Sequence, residues 1–234
     1  MLIDARQPNN GQMANNNKRS GIPRSIEVVM AGCGLLFAAP VIALCAAFIK
    51  ISSSGSILFR QCRVGQHGKD FTLLKLRTMS VNQNGPMFTA AGDARVTPVG
   101  RVLRKTKIDE LPGLWNVIRG DMSFVGPRPE VPELVDLKDP RWIEILETRP
   151  GITDPVTLRL RNEESILAEI DDKERFYREV LQPYKLEGYL QFVRERTWKI
   201  DLGIITRTLK ATVLPYTVPP PTEDELRWSQ VESI

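Results

Sequence analysis

From Val28 to Ile49 the chain runs for 22 residues without a charged side chain. About 20 apolar residues suffice to cross a bilayer as a helix, so this stretch constrains the fold more than any other. A cleavable signal peptide is disfavoured, because the run starts late, is long and lacks a small-x-small cleavage site. A helix buried in a soluble core is the other reading, and the length favours membrane association. Pro40 lies near the middle of the run. Inside a helix it removes one backbone hydrogen bond and clashes with the preceding turn, which predicts a kink or break. Both flanks are basic, with Lys18, Arg19 and Arg24 before the run and Lys50, Arg60 and Arg63 after it. Basic flanks belong in the cytoplasm. A helix hairpin that bends at Pro40 and returns to the face it left satisfies both, and a Pro-kinked single span is the alternative.

The rest of the chain is that of a globular domain. At 234 residues it is long enough for one domain with a sizeable core. With 42% hydrophobic and 26% charged residues it is neither disordered, fibrous nor polytopic. Cys33, Cys45 and Cys62 have no zinc spacing and form no disulfide framework. His67 is the single histidine, so chemistry must rest on carboxylates, Arg, Lys or a bound cation. Charge is divided unevenly: residues 1–128 carry +10 and residues 129–234 carry −6. A basic half suits a partner or substrate that bears phosphate, whether nucleic acid, anionic lipid or nucleotide.

Residues 1–23 are rich in Asn, Gly and Gln and are expected to be a disordered polar tail. Residues 57–79 alternate apolar and basic positions around the turn cluster Gly65–Asp70, which predicts a hairpin. Residues 80–95 read as a loop, and helical spacing resumes at Pro98. Helices are predicted over 163–170, 173–181 and 186–196. The more apolar segment 200–214, with Arg207 and Lys210 inside it, fits either a core helix or one lying in the membrane interface. Pro215 and the run Pro219-Pro220-Pro221 end it, and an acidic tail follows.

The chemistry concentrates between Arg101 and Arg128, where six basic and three acidic residues fall. Pro112 fits the first turn of a helix, which puts Asp109 and Glu110 at its N-terminus, where free N–H groups favour anions. The plain reading makes Asp109 a cap and Glu110 a first-turn acid. The neighbouring Arg104, Lys105 and Lys107 suggest more: a carboxylate beside cations stays ionised and can serve as nucleophile or metal ligand, while the cations gather phosphate oxygens. Val125-Gly126-Pro127-Arg128-Pro129 is a stiff turn that projects one guanidinium, the group suited to bidentate phosphate contacts. There is no Walker loop and no GxGxxG fingerprint.

The segment KIDELPGLWNVIRGDMSFVGPRP, with FRQCRVGQHGKDFTLLKLRTM at 59–79 and RPGIT at 149–153, resembles the bacterial sugar transferase family, the small monotopic polyprenyl-phosphate phosphoglycosyl transferases. The likeness covers roughly residues 24–214. It implies transfer of sugar-1-phosphate from a UDP-sugar to polyprenyl phosphate with release of UMP. The family's acid pair falls on Asp109 and Glu110, with Asp109 as the nucleophile that forms a phosphosugar-aspartyl intermediate and as the residue near Mg²⁺. Arg104 and Arg128 match positions that hold phosphate, and Lys75, Arg77 and Asp121 join them as expected substrate-binding residues. The family's helix break often reads Ser-Pro where this chain has Ala39-Pro40, and the segment after RPGIT departs from the commoner Gly-Trp-Ala-Gln.

The expectation is therefore a mostly helical α+β enzyme of the bacterial inner membrane. Residues 24–50 form a re-entrant membrane helix hairpin, 51–215 a cytoplasmic catalytic domain with interfacial amphipathic helices, and 216–234 a Pro-rich acidic tail. It would initiate a lipid-linked glycan such as an exopolysaccharide, capsule or O-antigen. The first rival is a non-catalytic adaptor that binds membrane lipid through the basic half. The second is a tethered nucleic-acid-binding protein, disfavoured because few aromatics accompany the basic residues.

Overall fold

The computed structural model describes residues 21–81, 88–214, 217–222 and 224–226. The polar tail before residue 21 and most of the acidic tail lie outside them. Within the described residues the fold is α+β, mostly helical with two small two-stranded sheets.

The uncharged run forms one helix, α1 (Arg24–Ser52), with Pro40 inside it and exposed. By length and composition α1 can cross a membrane, and only 11% of its apolar window is buried. One stripe of it faces the rest of the protein. Glu27, Ala31, Leu35, Ile42, Cys45 and Ile49 recur at helical spacing and touch the domain along the helix's length. Leu36 and Phe37, 72% and 79% exposed, lie on the opposite face.

The predicted hairpin forms as β1 (Leu58–Val64) and β2 (Asp70–Leu76), antiparallel, turning through 66–68. Then come α2 (Pro98–Thr106), a single 3₁₀ turn Ile108–Glu110, and α3 (Gly113–Arg119). The expected helix with Pro112 in its first turn is thus divided: Asp109 and Glu110 sit in a turn of their own and Pro112 is the N-cap of α3. The division begins at Lys107, whose left-handed backbone (φ 58°) ends α2 and redirects the chain.

Two strands escaped the sequence reading. β3 (Ser123–Val125) pairs in parallel with β4 (Gly151–Thr153), and α4 (Pro140–Leu146) lies between them in sequence. They meet so closely that a Cβ on Gly151 would stand 2.1 Å from Gly126 N, and one on Gly126 2.3 Å from Arg149 O. Only glycine fits at either place. Beyond β4 lie α5 (Pro155–Arg159), α6 (Glu163–Ala168), α7 (Lys173–Phe176), a π-helical turn Tyr177–Leu181, α8 (Gln182–Glu195) and α9 (Trp198–Val213). α9 divides between its two expected roles: Asp201, Ile204 and Ala211 are buried, while Trp198, Leu202 and Leu209 are exposed.

The largest core cluster joins α4, α5 and α8 with the π turn and the short helices around them. It includes Leu226, and Glu225 beside it binds Arg159 through two hydrogen bonds of 2.9 and 2.7 Å. The described part of the acidic tail is therefore docked on the domain.

Candidate active site

Asp109 is 7% exposed, and its Oδ1 is buried without a hydrogen-bond partner. It makes no capping bond to the turn that holds it or to α3, so the cap role fails. Burial pushes its carboxyl above the ordinary 3.8, and the adjacent Glu110 charge adds to the rise, against Lys75, Lys107 and Arg104. Glu110 is its opposite. Its Oε1 takes Lys75 Nζ and Arg128 Nη2, each at 2.9 Å. Burial raises its carboxyl too, but Lys75, Arg128 and Lys107 outweigh that and hold it well below 4.5. Burial lowers Lys75, with Glu110 opposing, whereas Glu110 pushes Arg128 upward.

Three elements deliver these groups. β2 carries Lys75, and its backbone is fixed from the α3 side by Asn116, which is fully buried. Asn116 Oδ1 accepts from Leu74 N at 3.1 Å and its Nδ2 donates to Thr72 O at 2.8 Å, as a neighbouring strand would. The turn 126–129 carries Arg128. Gly126 N donates to Thr153 O, Gly151 N to Pro127 O and Arg63 Nη1 to Pro129 O, at 3.0, 3.0 and 2.9 Å. The two prolines fix φ on either side of Arg128. Arg63, Lys75, Glu110 and Arg128 line a shallow open cleft, with Gly113 and Ile152 on its walls.

Of the residues expected here, Asp109, Glu110, Lys75 and Arg128 come together. Arg104 contributes charge at Asp109, but its guanidinium bonds Thr78 Oγ1 at 2.9 Å and Glu164 at 2.8 Å. Arg77 does not join them: it is buried against the end of α1, donating to Ser53 O at 2.9 Å and Ser54 O at 2.6 Å. Asp121 lies past the far end of α3, accepting from Asn116 Nδ2 at 3.1 Å. In this structure each bonds backbone or amide groups of the fold. Among the described residues no group of three or more His, Cys, Asp or Glu side chains is placed to hold a metal.

Sequence reasoning missed Asn116, Glu130 and Lys185. Lys185 had a signal: it falls on the stripe of Leu181, Tyr189 and Phe192, where a solvated lysine is out of place.

Comparison with known proteins gives the site its setting. The family described as bacterial sugar transferase matches residues 18–215. A UDP-glucose:undecaprenyl-phosphate glucose-1-phosphate transferase of Caulobacter vibrioides is 46% identical over 135 residues, 56% of this chain and 51% of the relative. A UDP-N-acetylgalactosamine-undecaprenyl-phosphate N-acetylgalactosaminephosphotransferase of Aeromonas hydrophila is 42% identical over 137 residues, 56% of this chain and 32% of the relative. Exopolysaccharide production protein ExoY of Rhizobium meliloti is 37% identical over 208 residues, 82% of this chain and 85% of the relative. The chain thus spans about half of the Caulobacter protein, a third of the Aeromonas one and most of ExoY.

Proposed function

The chain belongs to the bacterial sugar transferase family, and we propose that it transfers sugar-1-phosphate from a UDP-sugar to polyprenyl phosphate, releasing UMP, at the start of lipid-linked glycan synthesis. The observation that carries this reading is the Asp109–Glu110 pair, one carboxyl bare and buried, the other gripping two cations at the edge of the cleft. Relatives are named for undecaprenyl phosphate as acceptor and for UDP-glucose or UDP-N-acetylgalactosamine as donor.

In the first half-reaction an Asp109 carboxylate oxygen attacks the phosphorus bonded to the sugar. The bond to the α-phosphate breaks and UMP leaves with that electron pair. A phosphate oxygen of polyprenyl phosphate then attacks the same phosphorus and frees Asp109. The relay keeps two anionic substrates from having to meet directly. Burial that raises Asp109 also makes it a better nucleophile once ionised. Lys75 and Arg128 face the diphosphate and offset the charge that develops on it. Glu110 holds both cations at one point until substrate oxygens compete for them.

Mg²⁺ fits this donor set as a cation completed by substrate. Magnesium commonly takes one or two carboxylates and fills its shell with phosphate and water. The unpartnered Asp109 Oδ1 is the oxygen that would hold it. When bound, it would neutralise phosphate charge.

The reading seats the protein in the membrane through α1, with both ends on the cytoplasmic side; the apolar length of α1 supports the seating. Support comes from how the helix is tied. At its start Arg24 donates to the carbonyls of Val117, Ile118 and Met122, and Glu27 Oε1 accepts from Phe124 N at 3.1 Å. At its end Arg77 holds Ser53 and Ser54. Both ends contact the same domain, which supports a seating in which α1 does not leave that domain's side of the membrane. The exposed faces of α1 and α9, with Lys199, Arg207 and Lys210 on the latter, suit the bilayer interface.

The test is a panel of UDP-sugars that includes glucose and N-acetylgalactosamine, assayed with polyprenyl phosphate for UMP. Without acceptor, UMP release should stop near one equivalent, with a phosphosugar adduct on the peptide that contains Asp109. An adduct elsewhere, or no UMP from any donor, overturns the reading.

A further inference from the structure

Behind the turn that bears Arg128 lies a set of buried charges that the proposed reaction does not use. Lys185 and Tyr189, one turn apart on α8, are 6% and 1% exposed. Lys185 Nζ stands 3.0 Å from Glu163, 3.0 Å from the Tyr177 hydroxyl and 3.7 Å from Glu130. Tyr177 donates its own proton to Glu130 Oε1 at 2.9 Å. Glu130 follows Arg128 by two residues, and its carbonyl accepts from Val64 N at 2.9 Å. The other end of the turn is held from just beyond the same helix, where Arg196 Nη2 donates to Val125 O at 2.8 Å.

A lysine costs free energy to bury, and an apolar side chain of similar volume would fill its place at no such cost. Its partners indicate what it does. It pairs with Glu130 from one side while Arg63 does so at 3.8 Å, and through the Tyr177 hydroxyl it also reaches the group that donates to Glu130. From Glu130 the chain runs through Pro129, whose φ is locked, to Arg128. The locked φ leaves fewer backbone torsions to absorb a displacement of Glu130 before it reaches Arg128. We propose that Lys185, acting through Glu130, is a positioning residue for Arg128 that sets where the guanidinium meets Glu110 and the diphosphate of the donor. This rests on the reading of Arg128 as a donor-phosphate contact.

Lys185→Met alone leaves Glu130 with Arg63 at 3.8 Å as its remaining cation, takes the lysine from Glu163, and threatens the fold. The decisive variant is Lys185→Met with Glu130→Gln, which removes both charges and keeps their volume. It is compared in the unaltered chain and in an Arg128→Lys background, full length and in lipid nanodiscs. The readouts are UMP release, UDP affinity by calorimetry and melting temperature. UDP affinity reports on the contact whichever sugar the enzyme prefers. We expect a folded protein whose kcat/KM and UDP affinity fall on the order of tenfold or more in the unaltered background, since small misplacements of a charge contact are costly. In the Arg128→Lys background little further loss should appear, because the contact is already broken. Equal losses in both backgrounds, or a lowered melting temperature with unchanged kcat/KM and affinity, overturn the inference. If Arg128→Lys itself matches the unaltered chain, the phosphate-contact reading of Arg128 falls and the inference with it. If Arg128→Lys is impaired while the Lys185–Glu130 variant is not, only the inference falls.

Discussion

Asp109 and Glu110 are neighbours in sequence whose carboxyl groups live under opposite constraints. Burial makes the Asp109 charge costly, so the folded state keeps its proton to higher pH than the unfolded chain does. Its ionisation therefore removes stability as pH rises from about the ordinary 3.8 through the raised folded value. Asp109→Asn removes that cost, and we expect a higher melting temperature at neutral pH together with a loss of turnover on the order of 10⁴-fold or more. For Glu110 the sign reverses. Its stabilisation is complete above 4.5 and is lost only as pH falls through a folded value well below that. Glu110→Gln leaves Lys75 and Arg128 facing each other without a counter-charge, and should cost about 2–3 kcal/mol in urea unfolding. Two melting curves with shifts of the same sign would contradict this account. Under the proposed mechanism turnover should fall with pH at the raised Asp109 value, above where an ordinary aspartate would impose it. A pH–rate profile from 4 to 8 would read it.

Among the elements, α1 carries the sharpest topological claim. With Cys33, Cys45 and Cys62 replaced, single cysteines at the exposed positions Ser25 and Ser56 should both resist a reagent confined to the periplasm. Labelling of one and not the other would mean that α1 spans. Pro40→Leu restores the missing backbone hydrogen bond and should move the helix toward spanning. The run of apolar residues, the hairpin around Gly65–Asp70 and the helix from Pro98 were legible in the sequence because each rests on local periodicity and turn chemistry. The β3–β4 pair was not. Each strand has three residues, too few for an alternation to register, and their partnership spans a long sequence gap closed by Gly126 against Gly151. That Asp109 and Glu110 stand beside cations was readable from the motif, and so was the stiffness of the Arg128 turn. That Arg77 and Asp121 bond Ser53, Ser54 and Asn116 was not readable, because a charge that packs and a charge that binds look alike in a motif.

At the scale of the whole molecule the uneven charge resolves into a division of labour. Three cations of the first half, Arg63, Lys75 and Arg128, line the cleft, and acids of the second half, Glu130, Glu163 and Glu164, pair with cations placed behind or beside it. The chain closes on itself past the Pro219–Pro221 run, where Leu226 enters the main core. Leu226→Ala should lower stability by about 2–3 kcal/mol, because a buried leucine loses both its transfer energy and its packing. The half-exposed Glu225–Arg159 pair should contribute no more than about 1 kcal/mol. Urea titration of Leu226→Ala and of Glu225→Gln separates these effects. A negligible loss in Leu226→Ala would show that the tail is not part of the core.

The ties at the start of α1 also set an order of events during synthesis. Glu27 waits for Phe124, 97 residues later, and Ile22 waits for Asp201, 179 residues later. At roughly 5–20 residues per second the ribosome takes about 5–20 s to supply the first partner and about twice that to supply the second. Through that interval α1 is finished and its docking stripe is bare. A long apolar helix left waiting on a nascent chain invites aggregation unless something else receives it. Under the proposed seating the bilayer does so first, and the catalytic part then assembles onto a helix already in place.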